Sequence, residues 1–108
     1  SDKLDFTYID DLIQGVLLTI QNRKSINQTF NLTYGKSRTI GEMADLLKSE
    51  FKDVTLNYVP KDKLTPDRGT LNVDKARSLL GYNPQNPIEI GYPKYIKWYK
   101  NFWKSLPN

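Results

Sequence analysis

The sequence predicts a small α/β domain in which helices pack on a short, mainly parallel sheet. Three observations lead there. Apolar residues recur at helical spacing over 9–20 and again over 40–51. Short β-prone runs at Thr29–Leu32 and Val54–Val59 bracket the second of these segments, the order of a parallel β-α-β crossover. A third helix with both ends marked then runs from Asn72 to Gly81.

The first helix opens where Thr7 and Asp10 have the spacing of a capping pair. Ile9, Leu12, Ile13, Val16, Leu17 and Ile20 then fall on one face. Asp10 and Asp11 lie in the first turn, where the helix dipole favours anions. No other ligand-type residues accompany this acidic pair, so it is read as a helix start, not as a metal or acid–base site. A polar connector over 22–28 leads to the Thr29–Leu32 strand and a turn around Gly35.

Thr39-Ile40-Gly41-Glu42 is a capping-box sequence, and Ile40, Met43, Ala44, Leu47 and Phe51 form the inner face of the helix it opens. Val54, Leu56 and Tyr58 alternate with polar residues in the second strand. Pro60 and Pro66 hold the polar loop Lys61–Gly69 extended. Asn72 is the expected N-cap of the third helix, and Val73, Ala76, Leu79 and Leu80 are its apolar stripe. Gly81 suits a left-handed C-terminal position and Pro84 stops any continuation.

A final helix is expected to reach about Ser105, with Pro93 in its first turn and Ile88–Gly91 as a lead-in. It interleaves Tyr92, Tyr95, Trp98, Tyr99, Phe102 and Trp103 with Lys94, Lys97, Lys100 and Lys104. The expected arrangement is a docked helix whose aromatics complete the core, with Trp103 buried and Trp98 more peripheral. The alternative is a non-enzymatic binding module that uses this basic aromatic helix to engage nucleic acid or an anionic membrane.

At 108 residues the chain suits one domain, 1–108, with a core of its own. Charged residues at 26% against 38% hydrophobic ones describe a globular chain, and no run approaches the roughly 18 apolar residues of a membrane span. With no Cys and no His, disulfides, thiolate metal sites and imidazole acid–base chemistry are excluded. A reducing cytoplasm is the expected location.

The run from Arg68-Gly69-Thr70-Leu71 through Asp74-Lys75-Ala76 to Leu79-Leu80-Gly81-Tyr82-Asn83-Pro84, followed by Tyr95-Ile96-Lys97-Trp98-Tyr99, carries a resemblance. It resembles the C-terminal part of NAD-dependent epimerase/dehydratases acting on nucleotide sugars, the extended short-chain dehydrogenase/reductase family, of the UDP-glucose 4-epimerase-like kind. Two further blocks agree in family order: Asp5-Phe6-Thr7-Tyr8-Ile9-Asp10-Asp11, and Phe30-Asn31-Leu32 with Gly35 and Thr39-Ile40.

The resemblance implies a C-terminal substrate-binding domain whose partners are its own N-terminal Rossmann domain, which binds NAD, and a nucleotide sugar. The family's glycine-rich turn and Tyr-x-x-x-Lys pair are not in this sequence, since none of the seven Tyr has a Lys four positions on. The chain is therefore read as a fragment, inactive alone, without catalytic residues or a bound cofactor of its own. By the same resemblance Arg68 is the foremost candidate for the substrate diphosphate, with Lys61 and Lys63 as weaker ones and Phe6 as a packing surface for the nucleotide. A second family Arg precedes the Asp-Phe motif, but here that position is Leu4. A homodimeric full-length enzyme, with neither nucleic acid nor membrane as partner, completes the expectation.

Overall fold

The computed structural model describes residues 2–107. Strand β1 (Lys3–Leu4) leads into helix α1 (Ile9–Gln21) and a short 3-10 turn (Arg23–Ser25). Strand β2 (Arg38–Thr39) then runs directly into helix α2 (Ile40–Glu50), followed by helices α3 (Asp74–Leu80) and α4 (Ile88–Ser105).

The α/β class holds, but the sheet differs from expectation. β1 and β2 pair antiparallel, Lys3 opposite Thr39 and Leu4 opposite Arg38, and no parallel pair occurs among the described residues. Neither 29–32 nor 54–59 is a strand. A β-ladder needs a neighbouring chain at about 4.8 Å to accept its hydrogen bonds. Phe30 and Leu32 instead spend their side chains against the core, while Tyr58 and Val59 lie in the open.

Local capping succeeds where it closes within a few residues. Thr39 Oγ accepts from Glu42 N at 3.0 Å while Glu42 Oε2 accepts from Thr39 N at 2.7 Å. That backbone hydrogen bond, assisted by Arg38, lowers the Glu42 pKa. At α3 the N-cap is Val73, without a side-chain cap bond, and not the expected Asn72, although Asn72 Oδ1 accepts from Asp74 N at 2.8 Å; Gly81 closes the helix with φ at +69°. At α1 the expected Thr7–Asp10 cap does not form. Thr7 Oγ donates to Asp5 O, and Tyr8 occupies the N-cap without a side-chain bond.

The core is small: Val73, Ala76, Leu80 and Tyr82, with Leu18, Phe30, Leu32 and Leu79 packed around it. α1 meets this core through Leu18, flanked along the same side by polar and small residues. Asp11 is 2% exposed, and its carboxylate accepts from Gln85 N at 2.8 Å, Asn86 N at 2.9 Å and Asn86 Nδ2 at 3.1 Å. Lys94 Nζ donates to Asn86 Oδ1 at 2.7 Å and closes the cluster. A turn further on, Gln14 makes reciprocal bonds to the Asn83 backbone, and Asn22 Nδ2 donates to Leu79 O at 3.0 Å. Between them Gly15 lets Leu32 approach so closely that a Cβ there would lie 2.8 Å from its methyl carbons. At about 100° per residue the apolar stripe of α1 lies roughly opposite this surface. Ile9, Leu12, Ile13, Val16, Leu17 and Ile20 are accordingly between 38% and 74% exposed.

α4 begins at Ile88, with Ile90 N and Gly91 N donating to Pro87 O, so Pro93 lies inside the helix and not in its first turn. The N-terminal half is docked: Ile88, Gly91 and Ile96 are buried, and Gly91 admits the Tyr8 ring. Arg38 pairs with Glu89, and Lys100 Nζ donates to Glu50 O at 3.1 Å. The same apolar arc then continues past the body of the domain. Trp98 and Trp103 are 57% and 56% exposed, which corrects the expectation of a buried Trp103. The rings cover one another instead, with centroids 5.3 Å apart for Trp98–Phe102 and 5.9 Å for Tyr99–Trp103.

Tyr82 gives this core a pH dependence. Its hydroxyl donates to Thr33 O at 2.8 Å, and burial, with the charges of Asp11 and Asp5, pushes its pKa up to about 12. The unfolded chain releases this proton near pH 10. The folded state therefore binds more protons above that pH, and stability is lost as the pH rises from about 10 toward about 12. Urea titrations at stepped alkaline pH should show this decline in the wild type. In Tyr82→Phe, tyrosine's part of the decline should be absent.

Candidate functional site

The site grows from the crossing of three loops. The segment after β1 carries Asp5 and Phe6, the extended run after α1 carries Thr33 and Gly35, and the loop before α3 carries Asp67, Arg68 and Leu71. Together they enclose a concavity of about 650 Å³ lined by Asp5, Phe6, Thr33, Asp67, Arg68 and Leu71, among others.

Asp5 joins these loops. Its Oδ2 accepts from Thr33 Oγ at 2.8 Å, from Gly35 N at 3.2 Å and from Leu71 N at 3.2 Å, while Oδ1 accepts from Gly35 N at 3.1 Å. Gly35 adopts φ of +87° and sits against Val73, whose methyl would lie 2.9 Å from an added Cβ. Around this hub, Ser37 N donates to Thr70 Oγ at 3.0 Å and Asn31 Nδ2 donates to Asn72 O at 3.1 Å. The loop bearing Arg68 is thus held at Thr70, Leu71 and Asn72.

Of the four residues singled out in the sequence, the fold brings Arg68 and Phe6 to the same concavity. Lys61 is engaged elsewhere, with Nζ 2.5 Å from Asp67 Oδ1 and 3.2 Å from Asp2 Oδ1. Its hydrogen bonds to Asp67 and then Asp2 raise its pKa, and the bond from Lys61 lowers that of Asp67. Lys61 therefore reaches the site only indirectly, by neutralising the acid beside Arg68. Lys63 belongs to an exposed turn and lines none of the concavities described here. The guanidinium of Arg68 has no ion pair or hydrogen bond among the described residues, so it is a cation free to receive an anion. Leu4 also lines the concavity and gives that wall an apolar surface.

A separate recess of about 280 Å³ between Phe6, Tyr8, Met43 and Tyr92 is almost wholly apolar and lacks a converging charge. Asp5 was present in the sequence as part of a motif but without an assigned role. Its only sequence signal is an acid in a loop with no helix of its own to cap, and its partners lie 28 to 66 residues away.

No family model matches the chain. Individual proteins do. UDP-glucuronic acid decarboxylase 1 of Danio rerio is 33% identical over 95 residues, which cover 87% of this chain and 22% of that protein. An epimerase from Methanothermobacter thermautotrophicus superposes with a TM-score of 0.90 at 26% identity, covering 96% of this chain and 32% of that one. UDP-glucose 4-epimerase of Thermotoga maritima, solved with UDP-glucose, gives a TM-score of 0.84 at 25% identity, covering 94% and 33%. The chain thus spans about a fifth to a third of the length of the proteins it matches. The relatives and structural neighbours of this chain are thus UDP-sugar epimerases and decarboxylases of the extended short-chain dehydrogenase/reductase kind, each matched by nearly all of this chain over a third or less of its own length.

Proposed function

We propose that this chain is the nucleotide-sugar-binding portion of an NAD-dependent sugar epimerase or dehydratase and performs no turnover by itself. The observation that carries this reading is the unpaired Arg68 guanidinium at the concavity shared with Phe6, in a fold whose Thermotoga neighbour was solved with UDP-glucose. A planar fork of donors suits the oxygens of a diphosphate, and Phe6 offers an apolar edge to the nucleotide. Binding energy gathered here orients the reacting carbon, so the contribution of this portion is positional. NAD, which supplies a reversible hydride acceptor, belongs with the Tyr/Lys pair on an N-terminal Rossmann domain of the longer protein.

Replacing Arg68 tests this directly. In the full-length protein Arg68→Ala should weaken UDP and the UDP-sugar together by about 1.5–3 kcal/mol, read by calorimetry. Arg68→Lys should recover only part of this, and NAD affinity should stay unchanged. Equal UDP affinity in wild type and Arg68→Ala would remove Arg68 from the site.

The outward apolar stripe of α1 supports a docked N-terminal domain, because an uncovered row of aliphatic side chains is unfavourable in water. Val16→Lys should cost the full-length protein about 1.5–3 kcal/mol of stability in urea. The 108-residue chain alone should change by no more than about 0.5 kcal/mol. Equal effects in both would mean that the stripe is not a domain interface.

One observation favours a second reading, a module binding nucleic acid or anionic membrane through α4. Its terminal aromatics are exposed and its lysines Lys97 and Lys104 lie on the opposite flank. That reading requires affinity for single-stranded DNA or phosphatidylserine vesicles that falls steeply between 50 and 200 mM salt, on the order of 10³-fold for several phosphate contacts. On the nucleotide-sugar reading neither should bind measurably.

A further inference from the structure

Resting on the reading of Arg68 as a diphosphate ligand, we infer that Asp5 is the positioning residue that sets where Arg68 points. The two are linked through one bond. Asp5 Oδ2 accepts from Leu71 N at 3.2 Å, three residues along the backbone from Arg68. On the other side of Arg68 the loop between α2 and α3 is tied by Lys61, which pairs with Asp67 and Asp2. Gly69 has no heavy atom within 4 Å of its Cβ position, so the backbone beside Arg68 is not wedged by packing. On the Leu71 side the remaining ties, at Thr70 and Asn72, involve hydroxyl and amide side chains. Asp5 supplies the charged acceptor on that side, and such an acceptor makes roughly twice as strong a hydrogen bond.

The geometry also keeps Asp5 from repelling an anionic ligand. Its carboxylate lines the same concavity as Arg68, yet it accepts four hydrogen bonds from Thr33, Gly35 and Leu71. Those donors meet its charge with fixed dipoles and leave the guanidinium unpaired. Had Asp5 paired with Arg68 directly, the two would have cancelled and the site would hold no net attraction for a phosphate. The backbone thus separates an acid from a base across a single pocket, and the acid acts on substrate only through the loop it holds.

The test is a double-mutant cycle in the full-length protein, with UDP as the probe and calorimetry as the readout. Asp5→Asn keeps the shape but turns one acceptor into a donor facing Thr33, Gly35 or Leu71. It should weaken UDP roughly five- to tenfold in the wild-type background and less than about twofold when Arg68 is already Ala. If Asp5→Asn does not fold, Asp5→Glu, which keeps the charge but moves it by one methylene, goes through the same cycle with the same expectation. An equal loss in both backgrounds would show that Asp5 acts on the fold in general and would overturn the inference, as would no loss in either. Should Arg68→Ala alone leave UDP affinity unchanged, the diphosphate reading itself fails. Should Arg68→Ala weaken UDP while the Asp5 effect remains additive, only the positioning role fails.

Discussion

The buried carboxylate of Asp11 is the constraint on which the rest of the arrangement depends. A charge at 2% exposure persists only if donors surround it, and here they come from the backbone of Gln85 and Asn86 and the Asn86 side chain. That requirement turns α1 so that its Asp11–Gly15 side faces the connection between α3 and α4. Gln14 and Asn22 reinforce the same orientation with bonds to Asn83 and Leu79. Once α1 is turned this way, its aliphatic stripe has to face outward. A helix that looks ready to fill a core thereby keeps its aliphatic face exposed.

A second carboxylate, Asp5, does for the loops what Asp11 does for the helices. It collects donors from residues 33, 35 and 71 and so closes the floor of the concavity beneath Arg68. Lys61 completes the electrostatics from outside by neutralising Asp67. The region therefore has one acid satisfied by N–H and O–H donors, one acid satisfied by a lysine, and one guanidinium left over. Leu4 keeps the neighbouring wall apolar.

How much of the site was legible in the sequence follows from the range of each interaction. Arg68 and Phe6 were found through family motifs, and the fold does bring them together. Lys61 was grouped with Arg68 because both are loop cations, but its charge is spent on Asp67 and Asp2, the latter 59 residues away. Composition does not distinguish a paired cation from a free one. Asp5 carried no local signal, since none of the bonds its carboxylate accepts closes within a turn. The aromatic run of α4 was legible as amphipathic, whereas the point at which the domain ends beneath it was not.

By itself the sequence determined the existence of the helices and the α/β class, and it carried the resemblance to UDP-sugar epimerases. The Thr39–Glu42 capping box, the Asn72–Asp74 turn and the left-handed Gly81 all arise from contacts within a few residues, so local chemistry suffices to specify them. Only the tertiary structure decided which face of α1 is buried, which acids are satisfied and which cation is free. It also decided the sheet: the β-prone runs 29–32 and 54–59 stay unpaired, and Lys3–Leu4 joins Arg38–Thr39 instead. The physical reason is the same in each case. A helix finds its hydrogen bonds in its own next turn, whereas a strand, a buried carboxylate or an ion pair needs a partner that the fold delivers from far along the chain.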